Sequence, residues 1–93
     1  MDVKVTRNEA ANRFEAVVDG VLCVLDYRLD GTLLTITHTR VPDAVAGRGI
    51  AAALTKAAFD AARRERWQVI PDCAYAAAYV ARHPEYQDLV SRA

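Results

Sequence analysis

Apolar and polar residues alternate through the front of the chain. Phe14, Ala16 and Val18 alternate with Arg13, Glu15 and Asp19, the period of two that a half-buried strand requires. Val21, Cys23, Leu25, Tyr27 and Leu29 take one face of the next run, while Leu22, Val24, Asp26 and Arg28 take the other. Asp19-Gly20 and Asp30-Gly31 divide the runs, and these residue types tolerate the positive φ of tight hairpin turns. A third strand is predicted over residues 32–41. Pro42 ends it, since proline cannot donate to a ladder. The front of the chain therefore reads as an antiparallel meander.

After Gly49 the period changes. Ile50, Leu54, Ala57, Ala58 and Ala61 fall at helical spacing in an alanine-rich stretch. Arg63, Arg64 and Arg66 follow where cations suit the negative end of a helix dipole, and they read as a solvated helix end or as a contact for an acidic partner. Residues 67–70 form a short apolar strand stopped by Pro71, and a second alanine-rich helix is predicted over 74–82, broken by Pro84. Residues 84–90 form a last turn or short helix. The order is β-β-β-α-β-α, and the strand–helix–strand unit across 32–70 predicts a right-handed crossover with parallel strands. The fold class is α+β, sandwich-like: a mixed sheet, antiparallel first, then a β-α-β crossover and a C-terminal helix.

Composition narrows the function classes. The 93 residues allow one domain, 1–93. Lys+Arg and Asp+Glu are 12 each, whereas a general nucleic-acid binder needs a basic excess. No apolar run suits a membrane span, and Met1-Asp2-Val3-Lys4 does not open a signal peptide. Cys23 and Cys73 make no disulfide framework, so the expected compartment is reducing, hence cytoplasmic. The oligomeric state stays open.

Gly47-Arg48-Gly49-Ile50-Ala51, between a strand and a helix, is the most informative stretch. Two glycines one residue apart let the backbone approach a ligand. The first N–H groups of the helix and its dipole then form an anion site suited to a pyrophosphate, with Arg48 at the rim. The plain alternative is a tight turn with no ligand. Gly47-x-Gly49-x-x-Ala52 formally fits the dinucleotide fingerprint, with Asp72 as the ribose acid. That fingerprint, however, wants a strand running straight into the first glycine of a doubly wound unit. Here residues 42–46 intervene and one crossover follows. No Gly-Lys-Ser/Thr is present for a nucleoside triphosphate loop.

Val41-Pro42-Asp43-Ala44-Val45-Ala46-Gly47-Arg48-Gly49-Ile50-Ala51, followed by Leu54, resembles the acyl-CoA-binding motif of GNAT-type N-acetyltransferases. Pro71-Asp72-Cys73 with Tyr79, His83-Pro84 and Tyr86 resembles a minimal single-domain branch of that family. The likeness runs from Asp19 onward. It departs at Ala44, where the family prefers Gln or Arg, and in lacking the N-terminal helices that build an acceptor pocket in larger members. The resemblance implies acetyl-CoA (coenzyme A after transfer) as donor and an unidentified amine, on a protein or small molecule, as acceptor. It implies carrier contacts at Thr39, Val41, Ala46, Gly47, Arg48, Gly49, Ile50 and Ala51. A second function class is a CoA-binding sensor or subunit module without turnover.

His38 lies in line with Leu34 and Ile36 by parity. It reads either as a satisfied structural histidine or as a general base, since acyl transfer needs a neutral amine. Cys73 follows Pro71-Asp72 at a helix start, where the dipole favours a thiolate and Asp72 opposes it or serves as the N-cap. Its plain alternative is a buried small hydrophobe. The resemblance pairs His38 with Cys73. His38 would then deprotonate the acceptor amine or Cys73, and the bolder form passes the acetyl group through a Cys73 acyl-enzyme. It also implies Tyr79, with Tyr75 as the other candidate, as proton donor to the departing thiolate; the alternative for both is core packing. Cys23 reads as core. Cys23, His38, Cys73 and His83 show no paired ligand spacing, so no metal is expected.

Overall fold

The computed structural model describes residues 3–91. Five strands form one sheet in sequence order: β1 (Thr6–Asn8), β2 (Arg13–Val18), β3 (Val21–Asp30), β4 (Leu33–Arg40) and β5 (Gln68–Pro71). The first four pair antiparallel and β4–β5 pair parallel. Helix α1 (Ile50–Glu65) fills the crossover between β4 and β5, and α2 (Ala74–Arg82) follows β5. Short 3-10 segments stand at Asp43–Val45 and Pro84–Leu89. The mixed sheet, the crossover and both helices match the sequence reading. The antiparallel part has four strands rather than three, because the three-residue β1 is too short to show an alternation.

The Asp19-Gly20 turn carries φ of 51° and 76°, as a tight hairpin between right-twisted strands requires. One face of the sheet presents Phe14, Ala16, Cys23, Leu25, Tyr27, Leu34, Ile36 and Val69 to a single core. Helix α1 lays Leu54, Ala58, Phe59 and Ala62 over it, and α2 adds Ala76, Tyr79 and Val80. Cys23 lies in this core, as its strand parity predicts. Arg63 is exposed, as expected of a helix end, and it also clamps the last segment: it donates to Glu85 O at 2.6 Å and to both Asp88 carboxylate oxygens at 2.9 and 3.2 Å. Among the described residues no helix is long and apolar enough to cross a membrane.

One irregularity decides the orientation of the site. β3 and β4 pair as Tyr27↔Ile36 but Asp26↔His38 and Leu25↔Thr39, so Thr37 is an extra residue on β4. Its Oγ1 donates to Asp26 O at 3.2 Å. Such a bulge inverts the parity of everything after it. Thr39 therefore joins the core face with Leu25, and His38 turns to the outer face with Asp26. The expected alignment of His38 with Leu34 and Ile36 is thus corrected: His38 is exposed on the opposite face.

Candidate active site at the parting of two strands

The parallel pairing of β4 and β5 ends at Ile36↔Pro71. One further bond, from Asp72 N to Ile36 O at 3.0 Å, closes the seam. Asp72 is still tied to the strand, so it does not cap α2; Cys73 does, its Sγ accepting from Ala76 N at 3.3 Å. Beyond that point α2 carries the chain away, and residues 37–41 of the β4 segment have no β5 partner. Cys73 nevertheless stays near β4: its Sγ lies 3.5 Å from Thr39 Oγ1. Cys73 is half-buried and free of any disulfide.

The loop after β4 delivers the chain to α1. Gly47 and Gly49 hold φ of 79° and 75°, left-handed values that cost an L side chain about 1–2 kcal/mol. A Cβ on either glycine would meet nothing within 4 Å, so their backbones face open space. Gly49 is the N-cap and offers no side chain to the helix end. The first-turn amides of α1, which have no intrahelical acceptor, are therefore left for an external one. A cleft of about 240 Å³ lies there, lined by Val41, Ala46, Gly47, Gly49, Ile50, Ala51, Ala52 and Tyr75. No acidic side chain stands in the first turn of α1, so the charge at this helix end favours an anion.

Six of the eight residues assigned to carrier binding from sequence line this one cleft. Thr39 stands at the strand opening beside Cys73. Arg48 reaches away instead, donating from Nη1 to Asp19 Oδ2 at 2.5 Å. His38 lies on the outer face, across the sheet from Thr39. Tyr79 is six residues beyond Cys73, about 9 Å along the helix axis. It sits between α1 and α2, stacked on His83 with centroids 3.8 Å apart. Burial pushes its phenol pKa up, against a downward pull from Lys56. Tyr75, two residues from Cys73, is the tyrosine that lines the cleft.

A mixed sheet with one β-α-β crossover, two strands that part, and a helix whose N-cap Gly49 brings no side chain make up an α+β domain. Residues 13–89 match the family model for the GCN5-related N-acetyl-transferase, and the chain belongs to that family. It is also similar to a GCN5-like protein from Staphylococcus aureus, itself a proposed N-acetyltransferase, solved by NMR in solution. The two share 28% identity and superpose with a TM-score of 0.74 over 95% of this chain and 87% of the other.

Proposed function

We propose that this chain transfers an acetyl group from acetyl-CoA to an amine by direct attack, with His38 as the base. The observation that carries this reading is the parting of β4 and β5 after Ile36↔Pro71. It puts an anion-ready helix end, an open strand edge and the Thr39–Cys73 pair on one side, with an exposed imidazole on the other.

The amides from Gly47 to Ala52 suit the carrier's diphosphate. The free edge of β4 at Thr39 and Val41 suits the amides of its pantetheine arm. The thioester then lies beside Thr39 and Cys73, and the acceptor approaches over the outer face. His38 takes the proton of the amine as its nitrogen bonds to the carbonyl carbon. The C–S bond breaks, the electron pair leaves on sulfur, and a returned proton gives free CoA. Backbone N–H groups at the opening polarise the carbonyl. Cys73 bounds the thioester in this scheme, since its sulfur already serves as an acceptor for Ala76 N and a neighbour of Thr39.

Free-thiol release from acetyl-CoA is measured with pooled amines and peptides, alongside intact mass of the protein. Amine-dependent thiol release with no protein adduct is the expected result. A 42-dalton adduct, about the mass of a ketene-equivalent acetyl gain, on Cys73 before amine is added would replace direct attack by the acyl-enzyme. Carrier binding without thiol release would make the chain a CoA-binding module.

A further inference from the structure

The bulge at Thr37 does more than turn His38 outward. It sets His38 into a row of side chains on the outer face of the sheet. His38 faces Asp26 across β4 and β3, and Asp26 faces Arg13 across β3 and β2. On one side of that row Arg40 faces Val24, and on the other Arg28 faces Thr35. Facing partners share one face of a sheet, so Arg28, Asp26, His38 and Arg40 form one cluster. We propose that this cluster selects the acceptor: a lysine in an extended peptide segment, with one acidic residue two positions before it and another two positions after it. The inference rests on the proposed acetyl transfer and names a substrate class for it.

Three observations carry it. The first is which charges on this face are already answered. Arg13 donates to Glu15, and Asn8 Nδ2 donates to the same carboxylate oxygen at 3.0 Å. Those groups satisfy one another. The side chains of Asp26, Arg28 and Arg40 make no hydrogen bond or ion pair among the described residues. Arg28, His38 and Arg40 are exposed and Asp26 is half-buried, so all four can meet a ligand without any movement of the fold.

The second is the order of signs. Arg40 is two residues from His38 on β4, and Arg28 is two residues from Asp26 on β3. The strands are antiparallel, so the two steps run in opposite directions, each about 7 Å. Along the strands the face therefore runs guanidinium, carboxylate with imidazole, guanidinium. Asp72, exposed just past the last β4–β5 pair, adds a carboxylate on the β5 side of β4. The complement of this pattern is a cation at the centre with an anion at either end.

The third is spacing. An extended chain lying along β4 presents alternate residues to the face with the same period of about 7 Å. When one of its residues brings an amine to His38 and Asp26, the residues two before and two after it come to Arg40 and Arg28. A terminal amine leaves one guanidinium without an anion, whereas an internal lysine uses both. Asp26 draws the lysine ammonium to His38, which takes its proton.

The test is steady-state thiol release from acetyl-CoA by the full chain with three end-blocked peptides and a set of small amines. Each peptide has a central lysine with aspartate, alanine or arginine two positions away on both sides. Two exposed ion pairs predict a kcat/KM for the aspartate peptide at least about fivefold above the alanine peptide at low salt. The gain should lie mainly in KM and shrink as salt is added. The arginine peptide should be the poorest. The Arg28→Gln/Arg40→Gln variant should use the aspartate and alanine peptides alike, and Arg28→Lys/Arg40→Lys should keep most of the preference. Equal use of those two peptides by the wild type overturns the proposal and leaves acetyl transfer standing. A preference that survives in the glutamine variant overturns it too, as does thiol release with small amines and no peptide. No thiol release with any amine overturns the transfer reading, and this inference with it.

Discussion

Thr39 Oγ1 and Cys73 Sγ lie 3.5 Å apart across strands that have already separated. The contact ties the part of β4 that has no β5 partner to the N-cap of α2, so one sulfur both caps a helix and borders the opening. Serine can keep the cap and alanine cannot. Cys73→Ala is expected to cost about 1 kcal/mol of stability, and Cys73→Ser much less, in denaturant titrations. With direct attack, Cys73→Ser also keeps thiol release within about tenfold of wild type. Loss of all turnover in a folded Cys73→Ser protein would speak for an acyl-enzyme.

His38 is exposed and supports no core contact, so its replacement should leave folding alone. His38→Ala is expected to lower kcat by about 100-fold or more, the scale of a lost general base, with little change in the KM for acetyl-CoA. Steady-state kinetics at saturating amine reads both. A rise in carrier KM with kcat intact would make His38 a binding residue instead.

Arg48 is held by Asp19, which sits in the β2–β3 turn at φ 51°. The pair is exposed, so it contributes at most about 1 kcal/mol. Asp19→Asn should free the guanidinium for a phosphate and tighten CoA binding by about twofold to fivefold at low salt. That gain should fade at high ionic strength. Weaker binding in Asp19→Asn would mean that Asp19 positions Arg48 for the ligand rather than competing for it.

Tyr86 OH donates to Asp60 Oδ1 at 2.5 Å, and Lys56 donates to the other oxygen. Burial alone raises the Asp60 pKa, but its bonds to Lys56 and Tyr86 outweigh this and hold the carboxyl below its usual range. Burial, then Asp60, push the Tyr86 phenol up. For a lowered carboxylate, the stability is present above the unfolded pKa of about 4 and is lost as pH falls through the lower folded value. For a raised phenol, it is full below about pH 10 and is lost as pH rises through the higher folded value. Tyr86→Phe should therefore reduce the alkaline loss of thermal stability expected of the wild type. It should also cost about 1 kcal/mol near neutrality, as Asp60 is partly solvated. An unchanged alkaline limb in Tyr86→Phe would contradict this.

Much of the fold was legible because local signals agreed with the global arrangement. Asp19-Gly20 called for a tight turn, and Gly49 followed by helical spacing marked the start of α1. Pro71 and Pro84 bracket α2. The face of His38 was not legible. Thr37 alternates with Ile36 and His38 like any strand residue, and only the cross-strand register with Asp26 and Tyr27 reveals it as an insertion. A cavity between α1 and α2 was hidden for a similar reason: Ala52, Ala53 and Ala78 read as helix composition, and only packing two helices together shows the space they leave. A signal was present in the spacing of Tyr75, Tyr79 and His83, four residues apart on one helix face. It marked a stacked row, but not what the row faces.

The most direct measurement is calorimetric titration of the full chain with acetyl-CoA and with CoA at neutral pH and modest salt, beside a Gly49→Ala variant. The account predicts saturable binding of both carriers by the wild type and at least about tenfold weaker binding by the variant. There a methyl group at φ 75° strains the helix start and enters the anion site. Absence of saturable heat with either carrier, or equal affinity in a folded Gly49→Ala protein, would contradict it.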